Sequence, residues 1–198
     1  MKSNMILYNG PTSPFGRKTK ITSLVHEIDL EEKIINIYEA DFLDKHNPSR
    51  KIPTLITDNF IIVDSDNICL YFDSISKKQS IFPKNDYWQI LTLTSIANDL
   101  METVLIRYME TLRSVNEKSM DYIKKLEVRS LRIIYWLEKN LKLFHNEKLT
   151  MDKIAIACAL EYTMFRFTNK WQEGNKKLDL WLRDFKKNSF MKLTEPKT

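Results

Sequence analysis

Strand-like and helix-like patterns of hydrophobic and polar positions alternate through the N-terminal part of the chain. Residues 5–8 form a short apolar run that predicts a buried strand, and the Asn-Gly-Pro sequence at residues 9–11 interrupts it. Apolar side chains then recur at helical spacing, which predicts a helix over about residues 14–26. A second strand is predicted over residues 33–38, and a polar stretch without a clear period follows it.

A hairpin and a further helix are predicted after this polar stretch. Residues 54–57 and 60–63 are rich in β-branched side chains, and Asp and Asn between them tolerate the positive φ of a tight turn. Apolar residues at helical spacing then predict a helix capped by Asp64 or Ser65. The predicted order is therefore βαβ, an irregular or short helical crossover, and ββα. This order corresponds to a mixed four-stranded sheet with helices on its faces.

Strand signals largely end at residues 80–85, where the sequence pattern changes. Long helices are predicted around Trp88 to Tyr108 and around Met120 to Leu141. Residues 154–160 are apolar on all sides and include small side chains, as expected of a helix at the centre of a bundle. We expect an N-terminal α/β domain, a linker and an all-helical domain, at residues 1–79, 80–85 and 86–198.

The composition narrows the possible functions. The chain has 198 residues, of which 43% are hydrophobic, so it can bury substantial cores. Its net charge is +5, but the basic residues are interleaved with acidic ones and no nucleic-acid-binding motif accompanies them, so we expect no nucleic-acid partner. The sequence has no signal peptide pattern and no run of about 18 apolar residues, so we expect a cytoplasmic protein that does not enter a membrane.

The cysteines and histidines suggest no metal or disulfide chemistry. Cys69 and Cys158 each lie in an apolar helical pattern, and we expect two buried free thiols. The three histidines, His26, His46 and His145, are scattered without the spacing of metal ligands. We therefore predict no metal site.

The junction between the first strand and the first helix carries candidate chemistry. Thr12 or Ser13 can cap a helix that has Pro14 at its first position. A helix N-terminus directs unpaired backbone N–H groups, together with a capping hydroxyl, at one point in space. Such a point suits an anion.

Two downstream segments can complete a binding site beside this junction. The bond before Pro53 can be cis at a cost of about 0.5–1 kcal/mol, which lets Ile52 present its N–H and C=O to an extended peptide. Alternatively, Pro53 only shapes the turn that leads into the strand. The hydroxyl and N–H of Ser65 can hold a carboxylate, and Asp64 or Asp66 can attract an ammonium, unless these residues only cap the helix.

Four motifs in a fixed order resemble those of the soluble glutathione transferase family. They are Ser-Pro-Phe-Gly-Arg-Lys, Asn-Pro-Ser-Arg-Lys-Ile-Pro-Thr-Leu, Asp-Ser-Asp-Asn-Ile and Thr-Met-Asp-Lys-Ile-Ala, at residues 13–18, 47–55, 64–68 and 150–155. The resemblance covers essentially the whole chain and is strongest to small bacterial members with a Ser-Pro-Phe active-site motif. It implies a thioredoxin-like N-terminal domain, an all-α helical-bundle C-terminal domain, glutathione as co-substrate and a homodimer.

The resemblance also implies roles for individual residues. Those implied to bind glutathione are Lys51, Ile52, Pro53, Asp64 and Ser65. The hydroxyl of Ser13, or alternatively that of Thr12, would donate a hydrogen bond to the glutathione sulfur and stabilise the thiolate by about 1.5–3 kcal/mol. Because the first motif contains no cysteine, a thiol–disulfide mechanism is not expected.

The implied reaction is conjugation of glutathione to a small electrophile, as in detoxification, and peroxide reduction would use the same site. Four aromatic residues of the helical domain are candidates to line the electrophile pocket, although aromatic residues at helical spacing also fill cores: Tyr108, Tyr162, Phe165 and Trp171. The alternative is a non-catalytic binding protein of the same fold, similar in role to the stringent starvation protein, which contacts RNA polymerase. The retained glutathione-binding motifs favour the enzyme.

Two segments depart from the family pattern. The helix that starts after Thr150 carries Lys153 where an acidic residue would complete a capping box, and Asp152 comes one position early. Before Lys51, the chain has Ser49-Arg50 where the family commonly has a small residue or glycine. We expect the first departure to affect stability and the second to alter a turn.

Overall fold

The computed structural model describes residues 5–144, 146–167 and 171–196 of the chain. These residues form two compact units. The N-terminal unit contains the described residues up to Pro83 together with those from Ser189 onward, and the helical unit spans Lys84–Asn188.

A mixed four-stranded sheet forms the centre of the N-terminal unit, in the order β2-β1-β3-β4. β2 runs parallel to β1, β3 runs antiparallel to β1, and β4 runs antiparallel to β3. The register places Leu7 opposite Leu55, and both side chains are fully buried. The predicted mixed sheet is therefore confirmed, with its strands at Ile6–Asn9 (β1), Glu31–Ile34 (β2), Thr54–Ile56 (β3) and Ile61–Val63 (β4).

The second strand ends earlier than the hydrophobic pattern predicts. After β2, the N–H of Ile35 still donates to the carbonyl of Asn9, at 2.8 Å. The side chain of Asn36 then accepts a hydrogen bond from the N–H of Tyr38, which begins a 3₁₀ turn. The predicted strand over residues 33–38 is therefore wrong from Ile35 onward, because an Asn side chain competes with strand pairing, and the observed strand begins two residues earlier, at Glu31. The crossover consists of two 3₁₀ turns, Ile37–Glu39 and Asp41–Lys45.

Two helices, α1 (Pro14–Val25) and α2 (Ser65–Ile75), pack against each other in this unit. Side-chain contacts join them along their length: the Thr22 hydroxyl lies 3.3 Å from the sulfur of Cys69, and Nε2 of His26 lies 3.2 Å from Asp73. Asp73 also accepts hydrogen bonds from the Ser80 hydroxyl and the Ile81 N–H. Asp73 thus links both helices to the segment that follows them.

The helical unit is built around α5, which is buried throughout from Met151 to Thr163. This helix packs against α3 and α7, and α4 packs against α3. A central, fully buried helix agrees with the apolar pattern of residues 154–160. The longer helices of this unit are α3 (Tyr87–Thr111), α4 (Met120–Lys139), α5 (Met151–Arg166) and α7 (Lys176–Phe185), and α6 (Trp171–Gly174) is a single turn.

Lys153 stands where an acidic residue would complete a capping box, and it binds the loop that precedes α5. Thr150 is the N-cap residue, but its side chain accepts no capping hydrogen bond. The buried ammonium of Lys153 donates to the carbonyl and the side-chain oxygen of Asn146, at 2.6 and 2.7 Å, and also to the carbonyl of Lys148. The cation therefore holds the preceding loop by its carbonyl groups.

The C-terminal segment differs from the expected domain assignment. Residues 86–198 were predicted to belong to one helical domain, yet α8 (Ser189–Leu193) packs on α1 in the N-terminal unit. The buried guanidinium of Arg17 explains this placement, because it donates to the hydroxyl of Thr194 at 3.2 Å and to the carbonyl of Met191 at 3.1 Å. These bonds satisfy polar groups at the end of a short helix.

The buried contact between His26 and Asp73 predicts a pH dependence of stability. Burial lowers the pKa of His26, and the nearby Asp73 only partly offsets this effect. The unfolded chain therefore binds a proton on this imidazole more readily than the folded chain does, so the free energy of unfolding falls as pH decreases through about 6.5. In urea denaturation between pH 7.5 and 5.5, we expect His26→Gln to reduce the pH dependence of the unfolding midpoint.

The unchanged protein, denatured with urea over the same pH range, is the reference for this comparison. An equally steep dependence in His26→Gln would contradict the assignment to His26.

Candidate active site

Ser13 caps the N-terminus of α1, with Pro14 at the first helical position as predicted. Its backbone is extended, and its hydroxyl oxygen accepts a hydrogen bond from the N–H of Gly16 at 3.1 Å. Because capping uses the oxygen as an acceptor, the hydroxyl hydrogen can still be donated to another group. Thr12 is half-buried in the turn just before this cap.

Glycines allow close packing around this turn. A Cβ atom on Gly10 would overlap Cδ1 of Ile52 and lie 3.7 Å from Cβ of Ser13. Ser13 and Ile52, which are far apart in sequence, therefore flank the same glycine. The structure thus brings together two of the three predicted binding segments.

Asn9 holds the turn in place. This buried residue donates from Nδ2 to the carboxylate of Glu32 on β2, at 2.8 Å, and its Oδ1 accepts from the N–H of Gly10, at 2.8 Å. Gly16 packs directly against the Asn9 side chain, so that a Cβ atom there would overlap Oδ1. The hydrophobic pattern predicts Asn9 only as part of a strand break and not in this role. The feature of the sequence that could have indicated this contact is Gly16, because a glycine allows another group to approach the backbone closely.

The peptide bond between Ile52 and Pro53 is cis. Ile52 is half-buried and lies two residues before the start of β3, whereas Pro53 between them is buried. Within the described ranges, neither the N–H nor the C=O of Ile52 has a hydrogen-bond partner. These two groups are therefore available to pair with an extended ligand, as the sequence suggested.

A buried Asn shapes the loop that leads to Ile52. Nδ2 of Asn47 donates to the carbonyl of Lys51, at 2.9 Å, and to the hydroxyl of Thr54, at 3.0 Å. Oδ1 of Asn47 accepts from the N–H and the hydroxyl of Ser49. The motif that contains Asn47 predicts no role for this side chain, because its partners become neighbours only in the folded loop.

Arg50 adopts the left-handed conformation, with φ of 49°. Arg50 belongs to the Ser49-Arg50 pair, where the family resemblance implies a small residue or glycine, and glycine reaches positive φ at little cost. Its guanidinium contacts Asp44 and Asp41, and its hydrogen bond lowers the pKa of Asp44. The neighbouring Lys51 side chain is exposed.

Of the two residues predicted as possible caps of α2, Asp64 and Ser65, the N-cap is Asp64. Oδ1 of Asp64 accepts from the N–H groups of Asp66 and Asn67, at 2.8 and 3.3 Å, and its backbone has a φ of 73°. Ser65 is the first helical residue and is 5% exposed. Its hydroxyl and N–H have no partner within the part of the chain that the structure describes. A pure capping role for Ser65 is therefore excluded.

The structure groups three of the four predicted aromatic residues around one cation in the helical unit. The guanidinium carbon of Arg166 lies 4.1 Å from the ring centroid of Tyr108, 5.2 Å from that of Tyr162 and 4.7 Å from that of Phe165. Burial raises the pKa of Tyr162, and the Arg166 guanidinium opposes this change. Trp171 is instead buried in α6. Sequence analysis missed Arg166, which follows Phe165 directly.

Other features of the described residues bear on metals, thiols and membranes. Cys69 and Cys158 are buried, and neither forms a disulfide within the described ranges, as predicted. The described ranges contain no group of three His, Cys, Asp or Glu side chains placed to hold a metal ion, and His145 lies outside them. Of the helices within those ranges, none has the length and hydrophobicity needed to cross a membrane.

Two comparisons with known proteins point to one family. Residues 7–80 match the family profile described as the glutathione S-transferase N-terminal domain. Glutathione S-transferase D7 of Drosophila melanogaster is 33% identical over 88 residues, which are 42% of this chain. These findings support the glutathione transferase family. The match spans only 39% of the length of the Drosophila protein.

Solved structures of glutathione transferases share the fold over nearly the whole chain. A family member from Pseudomonas fluorescens Pf-5, solved with glutathione bound, has a TM-score of 0.91 at 24% identity, covering 98% of this chain and 100% of the other. A glutathione S-transferase from Methylobacillus flagellatus KT, also with glutathione bound, has a TM-score of 0.93 at 23% identity, with the same coverage. The predicted thioredoxin-like domain and helical domain are therefore confirmed as the fold class.

The close packing at Gly16 predicts a specific effect of substitution. Gly16→Ala forces a methyl group into the Asn9 side chain, so we expect a loss of about 1–3 kcal/mol in the free energy of unfolding, measured by urea denaturation. Gly174→Ala is the matched control, because a Cβ atom there meets nothing within 4 Å. We expect the control to be neutral or slightly stabilising. Equal effects of the two substitutions would contradict the packing argument.

Proposed function

We propose that this protein is a glutathione transferase that activates the thiol of glutathione and conjugates it to a small electrophile. The observation that carries the proposal is the set of available donors in the N-terminal unit. Ser13 can donate its hydroxyl hydrogen, and Ile52 and Ser65 present backbone groups with no partner in the described chain. The match of residues 7–80 to the glutathione S-transferase N-terminal domain supports the same ligand.

Each end of glutathione has a candidate partner. The γ-glutamyl carboxylate would accept hydrogen bonds from the hydroxyl and N–H of Ser65, where the helix dipole favours an anion. Asp64 would attract the neighbouring ammonium. The cysteinyl backbone would pair with Ile52 as an added strand, next to Pro53. The exposed Lys51 would attract the glycyl carboxylate.

The thiol would lie against the N-terminus of α1. A hydrogen bond from the Ser13 hydroxyl to a thiolate contributes about 1.5–3 kcal/mol, which lowers the pKa of the thiol and raises the fraction of nucleophile at neutral pH. Thr12 is the alternative donor. The chemical step is then attack of the thiolate on the electrophile, which forms a carbon–sulfur bond and expels a leaving group or takes up a proton.

The second substrate and the assembly are further parts of the proposal. Tyr108, Tyr162 and Phe165, which gather around Arg166, are the residues we propose to contact an apolar electrophile, with Trp171 as a further candidate. We also propose a homodimer in the cytoplasm that is close to the small bacterial members of the family and acts in detoxification or peroxide reduction. The comparisons do not favour the non-catalytic alternative that contacts RNA polymerase.

Removal of the Ser65 hydroxyl should weaken binding of glutathione. We expect Ser65→Ala to raise the dissociation constant about tenfold in calorimetric titration, because a hydrogen bond to a carboxylate is lost. Ser74→Ala is the matched control on the same helix, since this exposed hydroxyl donates only to the carbonyl of Tyr71. Unchanged affinity in Ser65→Ala would exclude this residue from the binding site.

Removal of the Ser13 hydroxyl should affect the reaction more than the binding. We expect Ser13→Gly, which keeps most of the capping stability, to lower kcat with a model electrophile about tenfold to a hundredfold and to raise the apparent pKa of the bound thiol. Thr12→Val tests the alternative donor. The control is Ser23→Ala on α1, whose hydroxyl donates to the carbonyl of Lys20. A full rate in Ser13→Gly with a reduced rate in Thr12→Val would assign activation to Thr12.

A further inference from the structure

A fully buried lysine lies beneath the proposed binding site. Lys18 on α1 has a side-chain exposure of 0%, and its ammonium forms an ion pair with Oδ1 of Asp66 on the first turn of α2. The Asp66 side chain is 33% exposed. The pair therefore runs from the protein interior to the surface beside Ser65.

The positions of this pair connect the two ends of the site. Lys18 lies five residues after Ser13, and Asp66 directly follows Ser65. A buried ammonium is stable only when it is paired, so Lys18 and Asp66 hold one relative placement. The pair thus fixes the α2 N-terminus with respect to α1, the helix that Ser13 caps.

The pair also sets the charge at the N-terminus of α2. Asp64 and Asp66 place two carboxylates on either side of Ser65, whose donors would bind an anionic group. Lys18 offsets the charge of Asp66. The carboxylate of Asp64 is then left for the ammonium of a ligand, and the uncharged donors of Ser65 are left for the carboxylate of the ligand. This balance matches the zwitterionic α-amino acid group of a γ-glutamyl peptide.

We propose that Lys18 is a positioning residue for glutathione, which holds Asp66 and offsets its charge so that Ser65 can bind the γ-glutamyl carboxylate. The inference rests on the proposed function, because it presumes that this ligand binds here. Lys18 itself does not touch the ligand.

Calorimetric titration of three variants with glutathione tests this role. Lys18→Met makes the α2 N-terminus one charge more negative, and we expect the dissociation constant to rise about tenfold. The double variant Lys18→Met/Asp66→Asn restores the net charge, and we expect its affinity to lie within about threefold of that of the unchanged protein. Arg129→Met, which removes the ion pair with Asp99 between α4 and α3, is the control and should leave the affinity unchanged.

A ligand series separates positioning from a general loss of structure. We expect the Lys18→Met penalty to persist with glutathione esterified at the glycyl carboxylate. The penalty should disappear with glutathione amidated at the γ-glutamyl carboxylate, measured by competition. An equal penalty for both ligands would show a structural role only and would overturn the proposal.

A further variant covers the case in which Lys18→Met does not fold. Adding Asn67→Asp to the double variant places an unpaired carboxylate on the same turn without leaving a buried charge, because Asn67 is exposed. We expect this variant to bind glutathione about tenfold more weakly than the double variant, and equal affinity would overturn the proposal.

If the unchanged protein does not bind glutathione, the proposed function itself fails. If it binds and Lys18→Met binds equally well, only the role of Lys18 fails.

Discussion

The packing of α1 on α2 is the constraint on which the candidate site depends. The site uses backbone N–H groups and hydroxyls at the N-termini of these two helices, and such groups cannot move independently of their helices. The helices are joined by buried polar contacts at three levels, from the ion pair of Lys18 with Asp66, through Thr22 and Cys69, to His26 and Asp73. Because each buried polar group requires its partner, the arrangement tolerates little sliding.

The elements that sequence analysis predicted well are those whose hydrophobic pattern is local. The first helix, the hairpin and the central helix of the bundle follow directly from spacing within one segment. The second strand was predicted to continue too far, because its end is set by the side chain of Asn36 and by the extent of pairing with β1. The tail was assigned to the wrong unit, since α8 is held by Arg17, more than 170 residues away in sequence.

The same distinction applies within the candidate site. Ser13, Ile52 and Ser65 could be named as candidates because Pro, Ser and Asp at helix and strand ends have strong local preferences. The roles of Asn9, Asn47 and Lys18 could not, because each depends on a partner that only folding brings near. Arg50 shows that a residue that rarely adopts positive φ can occupy such a position when two carboxylates hold its side chain.

The electrostatics of the site differ from what the net charge of +5 suggests. A basic surface would attract any polyanion, whereas the α2 end of the candidate site combines neutral donors with one carboxylate that Lys18 already pairs, Asp66. Neutral donors bind a carboxylate only when their geometry matches it, so selectivity arises from the placement of helix ends. Under the proposed function, an acidic peptide with its own ammonium would satisfy both Ser65 and Asp64, while a phosphate chain would satisfy only the former. The proposed zwitterionic tripeptide therefore suits this charge pattern better than a nucleic acid does.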